Sequence, residues 1–117
     1  MSYVDGYVIA IPKKNVNAYK KLAKLGEKMW RKAGCLDYKE CIGDDLKVKW
    51  GTPFTRMMKL KPGETVAFSY IVYKSRAHRD KVNAQVMKEM MKLGTPPEMP
   101  FDMKRMVCGG FKTLVGD

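Results

Sequence analysis

The chain has 117 residues, 45% of them hydrophobic and 30% charged, with a formal net charge of +11. That length fits a single domain over 1–117, and the ordinary globular composition excludes a disordered or low-complexity chain. The charge raises nucleic acid or another polyanion as a partner. Yet the 23 lysines and arginines are spread along the chain, with no block of five like charges and no RNP-like aromatic motif, so a lysine-rich solvated surface is the simpler reading.

The opening, MSYVDGYVIAIP, has no basic lead. Its apolar run from Tyr7 to Ile11 is too short for a signal peptide or a membrane span, so no membrane partner is expected. Tyr3 to Ile11 reads as a strand. Asn15 is placed to cap a helix in which Val16, Tyr19, Leu22, Ala23, Gly26, Met29, Trp30 and Ala33 recur at helical spacing, with Lys20, Lys21, Lys24, Lys28, Arg31 and Lys32 on its outer face. Gly34 ends it. Leu36 to Gly43 reads as a second strand. Residues 44–63 are polar and turn-rich, an excursion with a short strand expected near Thr55 to Leu60. Thr65 to Tyr73 is the strongest strand. Ser75 caps a second helix running to about Leu93, Gly94 to Pro100 is a loop with three prolines, and Lys104 to Val115 is the last strand. Within it, Gly109 and Gly110 are expected to admit another backbone or a helix, or to mark an edge bulge. The order strand, helix, strand, strand, helix, strand predicts an α+β fold, a ferredoxin-like βαββαβ sandwich with an antiparallel sheet.

The strands do not alternate as half-solvated ones should. In the first, Tyr3, Asp5, Tyr7, Ile9 and Ile11 share one face and Val4, Gly6, Val8 and Ala10 the other; in the third, Val66, Phe68, Tyr70 and Val72 oppose Ala67, Ser69, Ile71 and Tyr73. Two helices cover one face of a four-stranded sheet. A second copy is the economical cover for the other, which predicts a homodimer packed sheet to sheet. The alternative is a monomer whose segment 44–63 folds over the open face.

On the second helix, Val82, Val86, Met90 and Leu93 form an apolar stripe, and Arg79 and Asn83 fall inside it. Such groups need partners when buried. Asp5, Ser69 and Asp102 are the candidates, and His78 at the stripe's edge could also reach inward. Either these six residues line a ligand cavity between helices and sheet, or they form a satisfied structural network with Arg79 near the helix start and its head in water. Other chemistry is sparse. Cys35, Cys41 and Cys108 lack CxxC spacing and read as reduced thiols of a cytoplasmic protein. With His78 as the one histidine, no metal site is expected. No nucleophile elbow or Ser–His–Asp order appears, so no catalytic residue is assigned and no cofactor is expected. The methionines suit an adaptable core or an irregular apolar cavity.

YVDGYVIAIP at the start, YKSRAHRDKVNAQVM in the second helix and MPFDMKRMVCGGF near the end together resemble the YbaA-like family of small bacterial proteins of unknown function. The resemblance spans nearly the whole chain. It implies a branch of the dimeric α/β-barrel superfamily, in which two ferredoxin-like sandwiches pair through their sheets. It also implies, by fold-level analogy, binding of a small apolar or aromatic compound in a sheet–helix cavity, or its transformation without a cofactor. The alternative is a basic, non-enzymatic RNA- or polyanion-binding protein. The chain departs from the family pattern at Met103, where glycine is usual, at Cys108, where tyrosine is usual, and at Lys88 to Met91, which replace a DPRM-like segment.

Overall fold

Side chains of alternating residues in β1 (Tyr3–Pro12) point to opposite faces, and this strand is the centre of the molecule. It pairs antiparallel with β3 (Glu64–Tyr73), from Tyr3 opposite Tyr73 to Pro12 opposite Glu64, and on its other edge with β4 (Val107–Lys112). The strand β2 (Asp37–Ile42) pairs with the far edge of β3, which gives the order β2-β3-β1-β4. With α1 (Val16–Ala33) between β1 and β2 and α3 (Arg76–Leu93) between β3 and β4, this is the ferredoxin-like arrangement. The structure, a computed structural model, describes residues 1–94 and 98–117.

Both long helices lie on the face that carries Tyr3, Asp5, Tyr7 and Ile9 from β1 and Ser69, Ile71 and Tyr73 from β3. Val82 and Val86 of α3 are fully buried there against Tyr3, Tyr38, Ile71 and Tyr73, with Met29, Trp30 and Ala33 of α1 packed beside them. Each such side chain stabilises the fold by about 1.5–3 kcal/mol through burial. Ile9, Ile11 and Ala67 form a second cluster under Tyr19. The helix ends agree with the sequence at two points. The Ser75 hydroxyl accepts from the His78 backbone N–H at 3.1 Å, and Gly34 closes α1 in the left-handed region. Asn15 differs from the expectation. Its side chain does not cap α1 but donates to the Pro100 carbonyl at 3.0 Å, tying the helix start to the approach to β4.

The outer sheet face is only partly covered. The excursion 44–63 brings Leu46, Met58 and Leu60 over Ala10 and Val66, and Phe54 packs edge-on against Phe68. Phe68 nonetheless remains 46% exposed and Phe111 63%. The strand expected near Thr55 to Leu60 is instead the single helical turn α2 (Phe54–Met57). Pro53, with its fixed φ, precedes it, and Thr55 has no strand partner. The last strand is also shorter than expected. Met103–Arg105 form a 3-10 turn, and the ladder with β1 begins only at Val107, opposite Val8. Of the predicted proline loop, Pro96 and Pro97 lie outside the described residues.

Arg105 secures that turn. Its guanidinium donates to both oxygens of Glu64, at 2.6 and 2.9 Å, and to the carbonyls of Met58 and Lys59. The bidentate pair, followed by a backbone N–H from Lys61, holds the Glu64 carboxyl down at about 2. The glycine pair has a different cause from the one expected. A Cβ at Gly110 would sit 2.8 Å from Cε2 of Tyr3 and closer still to its hydroxyl, so the missing side chain makes room for a tyrosine ring rather than for a backbone or a helix. Gly109 faces the open side of the sheet, with only the Phe111 ring near it.

Candidate functional site

The space between helices and sheet is closed at one end and open at the other. At the closed end, Asp5 is 4% exposed, and one of its oxygens accepts from the Arg79 guanidinium at 2.8 Å while the other faces the Asn83 amide at 3.4 Å. The Asn83 carbonyl oxygen accepts from the indole N–H of Trp30 at 3.0 Å and from the Tyr73 hydroxyl at 3.1 Å. Arg79 also lies over the Tyr3 ring, 5.0 Å from its centroid, and bonds Asp80 at 2.8 Å. Every group in this network has a partner. Burial, then the nearby Asp5 carboxylate, pushes the Tyr73 phenol up.

At the other end α3 stands off the sheet. Val82 and Val86 are buried, but one and two turns later Met90 and Leu93 are exposed, so the apolar stripe runs out of the core. Below it opens a cleft of about 710 Å³. Its walls are Leu22, Leu25 and Met29 of α1, Met87, Met90 and Met91 of α3, and Met99, Phe101, Met103 and Met106 before β4. The sheet supplies its floor, including Tyr7, Tyr38, Glu40, Ser69 and Ile71. The surface is almost wholly apolar, and among the described residues Glu40 is the one charged residue in it.

Glu40 is held by two phenols. One of its oxygens accepts from the Tyr19 hydroxyl at 2.5 Å and the other from the Tyr38 hydroxyl at 2.7 Å. Burial, then the bond to Glu40, drives both phenols up, so each stays a proton donor. Tyr7, under burial and beside Asp5, is pushed up to about 12. Local sequence explains the geometry. Tyr38 and Glu40 lie two residues apart on β2 and share its inward face. The α1 backbone comes down on Tyr38 at Gly26, where a Cβ would be 2.7 Å from the Tyr38 hydroxyl. Trp30, one turn on, packs against Tyr38 at 6.0 Å between ring centroids, and Phe101 lies edge-on to Tyr19 at 5.8 Å.

The six residues singled out in the sequence fall into three places. Asp5, Arg79 and Asn83 come together at the closed end, and Asn83 is joined to the cleft by its bond to Trp30, whose ring lines it. Ser69 lines the cleft directly and is the cross-strand partner of Glu40. His78 and Asp102 join neither group. His78 Nδ1 accepts from the Lys74 backbone N–H at 2.9 Å, finishing the first turn of α3. Asp102 is exposed and accepts from the Lys104 N–H at 3.0 Å, so it caps its own turn instead of pairing with Arg79. Glu40, Tyr19 and Tyr38 escaped the sequence reading. The available signal was a carboxylate two residues after Tyr38, on the same face of the expected strand Leu36 to Gly43.

A family model described as "Protein of unknown function (DUF1428)" matches residues 2–103. Over its full length the chain is similar to the "Uncharacterized protein YbaA" of Escherichia coli K12, 34% identical over 117 residues, covering 100% of both chains. The same figures hold for the proteins of that description in Escherichia coli O157:H7 and Shigella flexneri. A solved structure, "De novo designed protein Foldit4", covers 99% of this chain and 100% of its own at 10% identity with a TM-score of 0.44, a likeness too distant to carry an argument.

Proposed function

The chain belongs to the DUF1428 family of proteins of unknown function, and we propose that it is a small cytoplasmic homodimer that binds an apolar or aromatic compound in the cleft between its helices and its sheet. The observation that carries this reading is the methionine-lined cleft itself. About 710 Å³ is the size of a small-molecule site, and its walls are apolar with a few convergent polar groups at the floor. Unbranched methionine side chains adapt to irregular shapes. Met91 stands 80% exposed and Leu93 65%, and an occupant would remove such surface from water, at about 25 cal/mol per Å². Ser69 contacts the ligand, while Asp5, Arg79 and Asn83 set the tilt of Trp30 from behind.

The homodimer is supported by the apolar side chains left on the outer sheet face, among them Val4, Val8, Phe68, Val72, Val107 and Phe111. All three cysteines are free, in keeping with a reducing compartment. No described helix is long and apolar enough to cross a membrane.

Thermal-shift screening against small aromatic compounds tests the binding reading. A hit should raise Tm with concentration and lose its effect in Met90→Lys, which places a charge in the cleft wall. Absence of any stabilising compound across a broad apolar panel would remove the proposal. Light scattering on a size-exclusion column should give twice 13.4 kDa, and Phe68→Lys with Phe111→Lys should return the single mass. A second reading, polyanion binding, is favoured by the exposed cations Lys20, Lys21, Lys24, Lys28 and Lys32 along α1. Salt separates the two: polyanion affinity falls steeply as salt rises, and apolar binding hardly changes.

A further inference from the structure

We infer that the cleft takes a small apolar amine, with its ammonium group seated on Glu40. This inference rests on the apolar-cleft reading above and adds the chemistry of the ligand's polar end. The floor of the cleft accepts hydrogen bonds and barely donates them. The protons of Tyr19 and Tyr38 are both committed to Glu40, and the indole N–H of Trp30 is committed to Asn83. What those groups still present to the cleft is lone pairs: those left on each Glu40 oxygen, and those of the two phenolic oxygens. Among the described residues of the floor, only Ser69 and Tyr7 keep hydroxyls that can act either way.

An all-acceptor floor selects a group with several donors, and an ammonium has three. Charge agrees with this. The chain carries 23 lysines and arginines, yet among the described residues none forms an ion pair with Glu40. A partly buried carboxylate without a cation is an unfilled position in so basic a protein. The aromatic rings complete the fit. The pairs Trp30–Tyr38 and Tyr19–Phe101 flank the carboxylate, and aromatic walls favour cations. A carboxylate or phosphate head would meet like charge and lone pairs here, whatever the attraction of the distant surface lysines.

Decylamine, decan-1-ol and decanoate share one chain length and differ only in the head, so calorimetric titration with the three decides the matter. The expected order is decylamine tightest, by about tenfold over decanol, with decanoate weakest. The net charge of +11 would by itself produce the reverse order between amine and acid, so non-specific surface binding cannot mimic the result. In Glu40→Gln the amine should lose its advantage while decanol binding stays within about twofold. Decanol binding as tightly as decylamine, or an amine preference that survives Glu40→Gln, overturns the inference and leaves the apolar cleft standing. Failure of all three probes overturns both. If Glu40→Gln does not fold, the wild-type order of the three heads decides.

Discussion

The two ends of the helix–sheet layer use the same materials, an inward-facing carboxylate with tyrosines and the shared Trp30, and finish differently. Around Asp5 the carboxylate meets a guanidinium and an amide, and α3 lies tight on the sheet. Around Glu40 the carboxylate is held, among the described residues, by two phenols, and α3 has left the sheet. The lesson concerns what a cation from the chain itself does. Where Arg79 supplies it, the helix is locked down and the interior is finished. Where none arrives, a carboxylate remains at the floor of an open apolar space. Stability should therefore be concentrated at the first end and binding at the second.

The largest test is alkaline titration, which strikes both ends. Tyr7, Tyr19, Tyr38 and Tyr73 all have phenols raised above the ordinary value of 10.0. The folded protein then holds protons that the unfolded chain releases, so their stabilisation is complete below pH 10 and declines as pH rises towards 12, the value reached by Tyr7. Each such tyrosine lowers stability by up to about 1.4 kcal/mol per pH unit. Phenolate absorbance from these four should appear together with the loss of circular dichroism. Their ionisation near pH 10 in a still-folded protein would refute the buried donor arrangement.

Next comes Asp5→Ala, which leaves Arg79 and Asn83 without their shared acceptor and should cost about 3 kcal/mol in denaturant unfolding. A loss below about 1 kcal/mol would mean that the closed end is not where stability resides. Smaller again is Gly26→Ala. The new methyl group must displace the Tyr38 hydroxyl from Glu40, at about 1–3 kcal/mol, and should weaken binding of a cleft probe as well. Unchanged stability would show that α1 yields easily there. Smallest is Met91→Gln, expected within about 0.5 kcal/mol of wild type because the side chain is already in water. A larger loss would erase the contrast between the two ends.

Much of the closed end was legible in the sequence. Arg79 and Asn83 fall on the same stripe as Val82 and Val86, and a helical wheel shows this without any knowledge of the sheet. Asp5 is readable in the same way, as a charge among apolar residues on one strand face. The cleft was not legible, because it is a matter of how far α3 departs from the sheet, and Met90 and Leu93 keep the helical spacing whether they are buried or not. The segment 44–63 gives a further instance. Thr55 to Leu60 mixes a β-branched residue with apolar ones, but after Pro53 the chain closes a short helical turn instead of pairing as a strand. Gly110 was recognisable as a demand for space, whereas its occupant, Tyr3, depends on the register of β4 against β1.

The two indoles of this chain occupy opposite surroundings. Trp50 is 89% exposed, while Trp30 forms part of the cleft wall with its ring plane fixed by Asn83. Replacing Trp50 with phenylalanine disturbs no packed neighbour and leaves a protein whose entire tryptophan emission originates beside Glu40. The fold thus contains its own optical gauge, and the colour and brightness of that single ring report, without any label, when something has moved into the hollow.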